Sequence, residues 1–525
     1  MHKSLLIAFL LLFALTSAYG QDPCPAWPLP GSVVTDAPVL NSQNGVLTVN
    51  LTMHTMVDAG NVTHYCYSYS DSVEAPTLLA NPGDVIIFNL TNDLTELPGS
   101  MQHGDSGSSA PSDPCAGGSM TSASTNVHFH GLNIPPKCHQ DEVIKTTIQP
   151  GDPPFEYKFQ IPKNDPPGLY WYHPHIHMFT ATQVVGGAAG ALIIGGLEQM
   201  RPEISGLAER VFTLRQFNVP PPRNGARAPD SDDTGLQLSI NFVPAYVNVL
   251  PPIIQIKPGE KQLWRVLNAT STQFFALQLQ VNGIAQNMLL VALDGVPLLK
   301  PRTLSTVNIP PAGRAEFVVQ GPPQNSVSRF VDLGFDTGPD GDPNPARLLA
   351  AVDSSPDAPA APHHLPTVSR QKALTRFANL ENVKPFTQRK LYFSEKTLSN
   401  GVTEFFITVD GQKRRLYDPN EPPAIITRQG AVEDWTIENR SKEVHAFHIH
   451  QIHFLVLDVN GKPADHVVRD TIHVPYWTGS GPFPSVTLRM DFRDPETVGT
   501  FLYHCHILDH EDGGMMAKIK VLPAK

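Results

Sequence analysis

Hydrophobic and polar positions alternate in short runs along most of the chain, each run closed by turn residues. Val85-Ile86-Ile87-Phe88-Asn89-Leu90 follows Pro82-Gly83-Asp84, and Leu263-Trp264-Arg265-Val266-Leu267 follows Pro258-Gly259-Glu260. Val432-Glu433-Asp434-Trp435-Thr436-Ile437 follows Arg428-Gln429-Gly430. Each is a glycine turn leading into a strand that ends near an asparagine: Asn92, Asn268 and Asn439. Period-two runs after such turns predict β-strands. Three copies of one corner, roughly 170–180 residues apart, predict three related all-β domains of ordinary size. The apolar run Val184–Leu197 is broken by glycines and reads as a buried strand.

The expected divisions are 21–200 for the first domain, 201–352 for the second and 385–525 for the third. Residues 353–384 form a linker marked by Pro356, Pro359, Pro362 and Pro366. The Gly-, Ser- and Ala-rich stretch 96–126 is expected to be a surface loop partly tied down by Cys115. Residues 1–20 read as a secretory signal: Lys3, then an apolar run from Leu5 to Leu15, then Ala18-Tyr19-Gly20. A secreted or periplasmic protein with no membrane association after cleavage is expected.

Composition sharpens this picture. The 525 residues carry 51 prolines and 38 glycines, which favour many short strands over long helices. A net charge of −11 gives no basic field for nucleic acid or an anionic membrane. Of five cysteines, Cys24, Cys66, Cys115 and Cys138 allow two disulfides in three connectivities, with Cys505 left over. Sequons stand at Asn50, Asn61, Asn89, Asn268 and Asn439, to be used only in a eukaryotic secretory host.

The chemistry lies in the histidines. With 21 in the chain, chance gives roughly one His-x-His pair, so a single pair says little. Five occur: His128/His130, His173/His175, His175/His177, His448/His450 and His504/His506. Residues i and i+2 of a strand face the same side, so each pair offers two imidazoles to one site, and imidazole suits copper. His504-Cys505-His506 is followed by His510 and Met515. Two imidazoles, one thiolate and a distant thioether make a blue electron-transfer copper site, here Cys505, His510, Met515 and His445. Zinc prefers closed Cys/His sets, and only one free cysteine is available.

These motifs resemble the three-domain multicopper oxidases, the group that includes laccases, bilirubin oxidases and cuprous oxidases. The resemblance rests on His128-Phe129-His130-Gly131, Trp171-Tyr172-His173-Pro174-His175, His445-Ala446-Phe447-His448-Ile449-His450 and His504 through Met515. Leu263 to Asn268 and Arg469-Asp470-Thr471 add to it. It implies three cupredoxin-like Greek-key β-sandwiches and four copper ions. His445, Cys505, His510 and Met515 would hold the type 1 ion, and His128 and His448 the type 2 ion. His130, His173, His175, His450, His504 and His506 would hold the type 3 pair.

Glu511 would pass protons towards the trinuclear cluster, Asp141 would stand beside its exit channel, and Cys505 would relay electrons. His177 and His453 fall outside the ligand positions and are read as packing or supporting residues. The implied reaction is one-electron oxidation of a phenol or aromatic amine coupled to reduction of O2 to water, by a monomer. The alternatives are a metallo-oxidase acting on Cu(I) or Fe(II), or a non-catalytic cupredoxin-fold binding protein. An axial Met lowers the copper potential, and the 11 methionines form no dense cluster beyond Met515-Met516.

Overall fold

The computed structural model describes residues 22–525 except 59, 71–72, 97–112, 219–235 and 363–374. The leader-like segment 1–20 lies outside the described residues. Among them no helix is long and apolar enough to cross a membrane.

Six sheets pair into three β-sandwiches. In the first, Val39–Asn41, Thr77–Ala80, Gly190–Ile194, Gly168–His173 and His128–His130 form one sheet. It faces a sheet of Val73–Glu74, Thr63–Ser70, Val46–Val57, Val85–Asp93 and Phe155–Gln160. Alternation does the sorting: Ile86, Phe88 and Leu90 point inward, and Phe155, Tyr157 and Phe159 meet them in the same core.

The repeated corner is one structural device used three times. Val85–Asp93, Lys261–Ala269 and Val432–Asn439 each run parallel to one long strand and antiparallel to another. The parallel partners are Val46–Val57, Ala208–Asn218 and Thr387–Thr397. Gly83, Gly259 and Gly430 turn the chain at φ of +94°, +74° and +95°, a region open mainly to glycine.

The closing asparagines are buried clamps. Asn92 donates to the carbonyls of Ala123 and Ile148, Asn268 to those of Gln273 and Pro310, and Asn439 to those of Glu443 and Val474. Each side-chain oxygen accepts a backbone N–H two residues on, from Leu94, Thr270 and Ser441. Asn268 and Asn439 are therefore corrected as sequons: their amides are spent inside the corner, and only Asn50 and Asn61 are exposed.

Lys261–Ala269 is buried almost throughout instead of alternating. Trp264 and Val266 enter the second core, while Leu267 and Ala269 pack with Trp171, Leu169 and Leu79 of the first sandwich. The strand is covered on both faces because the sandwiches lean on each other.

Other expectations need correction. Within Val184–Leu197, Val184 and Val185 end the helix Thr180–Val185, and only Gly190–Ile194 is a buried strand. Part of 96–126 lies outside the described residues, but 122–126 is buried instead of forming a surface loop. The Gln183 and Asn92 side chains bond its carbonyls. In the expected linker, residues 353–354 finish the strand Arg347–Ser354. Near its other end, Leu380 is buried and Arg376 pairs with Asp165.

The disulfides join Cys24 to Cys66 and Cys115 to Cys138, leaving buried Cys505 free. The first holds the N-terminal segment to the first sandwich, yet Val34 sits in the second core, with its N–H on the Ile253 carbonyl at 2.8 Å.

Candidate metal centres

Strand register assembles the histidines. His128 lies opposite His173 where His128–His130 pairs with Gly168–His173, and His448 lies opposite His504 where His445–Ile449 pairs with Gly499–Cys505. Two-residue periodicity then places His130, His175, His450 and His506 beside them. The pairs from the first and third sandwiches interleave: His128 stacks on His450 with ring centres 3.8 Å apart, and His130 on His448 at 3.9 Å. All eight imidazoles are buried.

They resolve into donor groups. His130, His173 and His506 bring one ligand atom each within 4.8 Å of one another, as do His175, His450 and His504. His128 and His448 lie between these trios with ring centres 6.0 Å apart. The fourth group is His445, Cys505 and His510. Its two Nδ1 atoms are 3.2 Å apart, and Cys505 Sγ lies 3.6 and 3.8 Å from them. Three ligands placed trigonally at about 2.0–2.3 Å from one ion would stand about 3.5–3.8 Å apart. Met515 shares the core cluster of Cys505, and its backbone is tied to His510 and Cys505 at 2.9 and 3.1 Å.

The residues fit a metal. His128 Nε2, His130 Nδ1, His173 Nε2, His448 Nε2 and both His506 ring nitrogens are buried without a hydrogen-bond partner, an arrangement costly for a plain polar core. Opposite nitrogens are anchored: His128 Nδ1 to Asp141 at 3.0 Å, His448 Nδ1 to the Asp470 carbonyl at 2.8 Å, and His173 Nδ1 to the Pro174 carbonyl at 2.8 Å. Tying one nitrogen fixes the tautomer and aims the other. In the Cys505 group, Ser441 Oγ lies 2.8 Å from His445 Nε2, and Glu443 3.4 Å from His510 Nε2.

Burial, reinforced by neighbouring imidazoles, holds His128, His450 and His506 well below the ordinary histidine range and takes His173 to about 3. The same burial, against the pull of Glu511, takes His175 to about 4. These rings are neutral, the form a metal needs. Burial alone would raise the Cys505 thiol, but hydrogen bonds and charge from His445 and His510 bring it down to about 6. The group is therefore set to present a thiolate.

Glu511 is fully buried, 3.0 Å from His504 Nδ1 and 3.5 Å from His175 Nε2, touching both sandwiches' histidines. Asp141 is also buried. Besides His128, it accepts the Phe129 N–H at 2.9 Å and a donor from Gln451, so its geometry is that of an anchor for the His128 strand. His453 is buried against the Asp294 carbonyl at 2.9 Å, and His177 lies edge-on to Tyr417, both outside the donor groups above. Sequence reasoning missed Gln451, Ser441, Glu443, Glu395, whose carboxylate lies 3.1 Å from His445 Nε2, and the part played by Asp470. Each acts through a partner set by the tertiary fold, which no local spacing announces.

Family models described as multicopper oxidase match residues 119–199, 222–331 and 389–525. The multicopper oxidase mco of Staphylococcus aureus is 25% identical over 465 residues, spanning 86% of this chain and 83% of its own. A laccase of Bacillus subtilis is 24% identical over 442 residues, spanning 76% and 79%. Among solved structures, a Campylobacter jejuni multicopper oxidase described as a metallo-oxidase superposes with a TM-score of 0.66 at 23% identity, covering 95% of this chain and 96% of its own. With three family models in chain order over three β-sandwiches, this chain belongs to the multicopper oxidases, copper enzymes that oxidise a donor and use O2 as acceptor.

Proposed function

We propose that the chain is a laccase-like oxidase that takes single electrons from phenols or aromatic amines and delivers them to O2, making water. One observation carries the reading. Cys505 faces His445 and His510, while its chain neighbours His504 and His506 face the eight-histidine group. A single stretch of backbone thus belongs to both donor groups.

His445, Cys505, His510 and Met515 would hold a type 1 copper, and His128 and His448 a type 2 copper. His130, His173 and His506 would hold one type 3 ion, and His175, His450 and His504 the other, four in all. Copper there would supply one-electron uptake at the first group and O2 binding and reduction at the second.

The chain's own residues do the rest. His510 is 5% exposed and stacks on Phe405 at 4.1 Å, which makes its ring edge the place for a donor to approach. The Glu511 carboxylate, against His504 Nδ1 and His175 Nε2, is placed to carry protons between solvent and the buried chamber. Asp141 keeps His128 Nδ1 fixed, and burial excludes bulk water from the eight imidazoles. Two disulfides support an exported protein in an oxidising compartment. All four donor groups come from one chain, which supports a monomer.

A second reading has its own support. The Glu443 carboxylate 3.4 Å from His510 Nε2 puts negative charge beside the proposed electron port, which favours a cationic donor such as Cu(I) or Fe(II). The test is to count copper per chain, record the blue band, and compare kcat/KM for a phenol, an arylamine, Cu(I) and Fe(II). Rates favouring the metal ions would replace the laccase-like reading. A colourless protein that consumes no O2 with any donor would sink both.

A further inference from the structure

The second sandwich supplies none of the eight imidazoles, yet one of its side chains reaches the group. Arg314, fully buried, donates through Nη1 to Asp470 Oδ1 at 2.7 Å and through Nη2 to Oδ2, a two-pronged pair with the third sandwich. Its Nε–H donates to the Leu169 carbonyl of the first sandwich at 3.2 Å, and Nη1 also meets the Ala312 carbonyl at 3.0 Å. One guanidinium therefore joins all three sandwiches.

Asp470 in turn touches both halves of the histidine group. Its Oδ1 lies 3.4 Å from His130 Nε2, and its backbone carbonyl accepts from His448 Nδ1 at 2.8 Å. The Thr471 hydroxyl, donating to Asp470 Oδ1 at 2.9 Å, steadies the carboxylate. His130 and His448 are the rings stacked across the sandwich boundary. The pair also explains Gly131, which directly follows His130: a Cβ there would fall 2.6 Å from Asp470 Oδ2 and 2.7 Å from Arg314 Nη2.

We infer that Arg314 is a positioning residue of the eight-histidine centre: by gripping Asp470 it fixes where His130 stands relative to His448, and so how copper is held between the first and third sandwiches. The inference rests on the copper reading above. A planar fork can hold both carboxylate oxygens, whereas an ammonium is a point charge. Without the guanidinium, a buried carboxylate loses its counter-charge, at high cost. The nearest remaining imidazoles are His130 Nε2 at 3.4 Å and His453 Nε2 at 3.6 Å, so the carboxylate would draw His130 out of its stack.

The experiment compares copper-loaded wild type, Arg314→Lys and Arg314→Gln by copper content, the blue band, the type 1 and type 2 electron paramagnetic resonance signals, and copper retention against a chelator. The expected result is an unchanged blue band and type 1 signal with an altered type 2 signal. Copper in the eight-histidine group should be held roughly 10–100-fold more weakly in Arg314→Gln, with Arg314→Lys between it and wild type. Wild-type type 2 signals and retention in both variants would overturn the inference. So would loss of the blue band in step with the type 2 signal, or failure of both variants to fold, since either assigns the pair to general stability. A wild type that takes up no copper would instead overturn the copper reading.

Discussion

Glu511 shows how much a single residue can owe to its surroundings. Sequence order alone places it one position after His510, and the structure adds a buried carboxylate held by two imidazoles from different sandwiches. Burial would raise its pKa, but His175 and His504 hold it at about 2, so it remains ionised at neutral pH. Replacing Glu511 with Gln keeps the shape and removes the proton carrier. Turnover with O2 should fall roughly 100-fold, the scale of a lost acid–base group, while the blue band stays, because the Cys505 group is untouched. Stopped-flow reoxidation of the fully reduced enzyme by O2 measures the step directly, and a wild-type rate would remove Glu511 from the proton route. Asp141 is the contrasting case. Its position near His130 suggested a channel acid, whereas its hydrogen bonds to His128, Phe129 and Gln451 make it part of the framework. Nothing in Cys138-His139-Gln140-Asp141 could have announced Gln451, which is distant in sequence.

At the level of strands and turns, the corner motif was legible because it is local. A glycine turn, an alternating strand and a closing asparagine all lie within a dozen residues. What alternation could not reveal is that Lys261–Ala269 would be covered on both faces, since the second face depends on a neighbouring sandwich. The asparagines also carried a misleading signal, as Asn268-Ala269-Thr270 and Asn439-Arg440-Ser441 both read as sequons. In the fold their hydroxyl residues serve the clamp, the Thr270 and Ser441 hydroxyls donating to Asn268 and Asn439 at 2.6 and 2.7 Å. Asn268→Ala should destabilise the protein by about 2–3 kcal/mol, because two buried carbonyls and a buried N–H lose their partner. Exposed Asn50→Ala should change stability by less than about 0.5 kcal/mol. Denaturant unfolding of both variants tests this, and equal effects would mean that the clamp carries no special weight. Expressed through a eukaryotic secretory route, folded protein should carry glycans at Asn50 or Asn61 and none at Asn268 or Asn439 by mass spectrometry.

Across the whole molecule, the first and third sandwiches meet through apolar contacts and ion pairs at the edges but through histidine rings at the centre, and rings without metal are poor cement. Their unpartnered nitrogens face one another across the boundary, and burial keeps them from taking protons. Copper that binds only the folded chain must therefore add stability in proportion to its affinity, and most of it where the ligands meet. Hydrogen exchange in His128–His130 and His445–Ile449 should speed up on copper removal, while Lys261–Ala269, inside the second sandwich, should hardly change. The pH dependence has a definite sign. His173 at about 3 and His175 at about 4 lie below the ordinary value of about 6.5, so on acidification the unfolded chain takes up protons before the folded one does. These two imidazoles should cost the copper-free protein no stability above about pH 6.5 and progressively more as pH falls towards about 4. Calorimetry of copper-free protein across that window reads the effect, and copper-loaded protein should unfold at higher temperature at every pH at which its imidazoles remain deprotonated. A copper-free Tm that stays flat from pH 7 to pH 4 would mean that the folded chain takes up protons as readily as the unfolded one, so that burial does not hold these imidazoles neutral, and the chamber would then be poorly prepared for any metal.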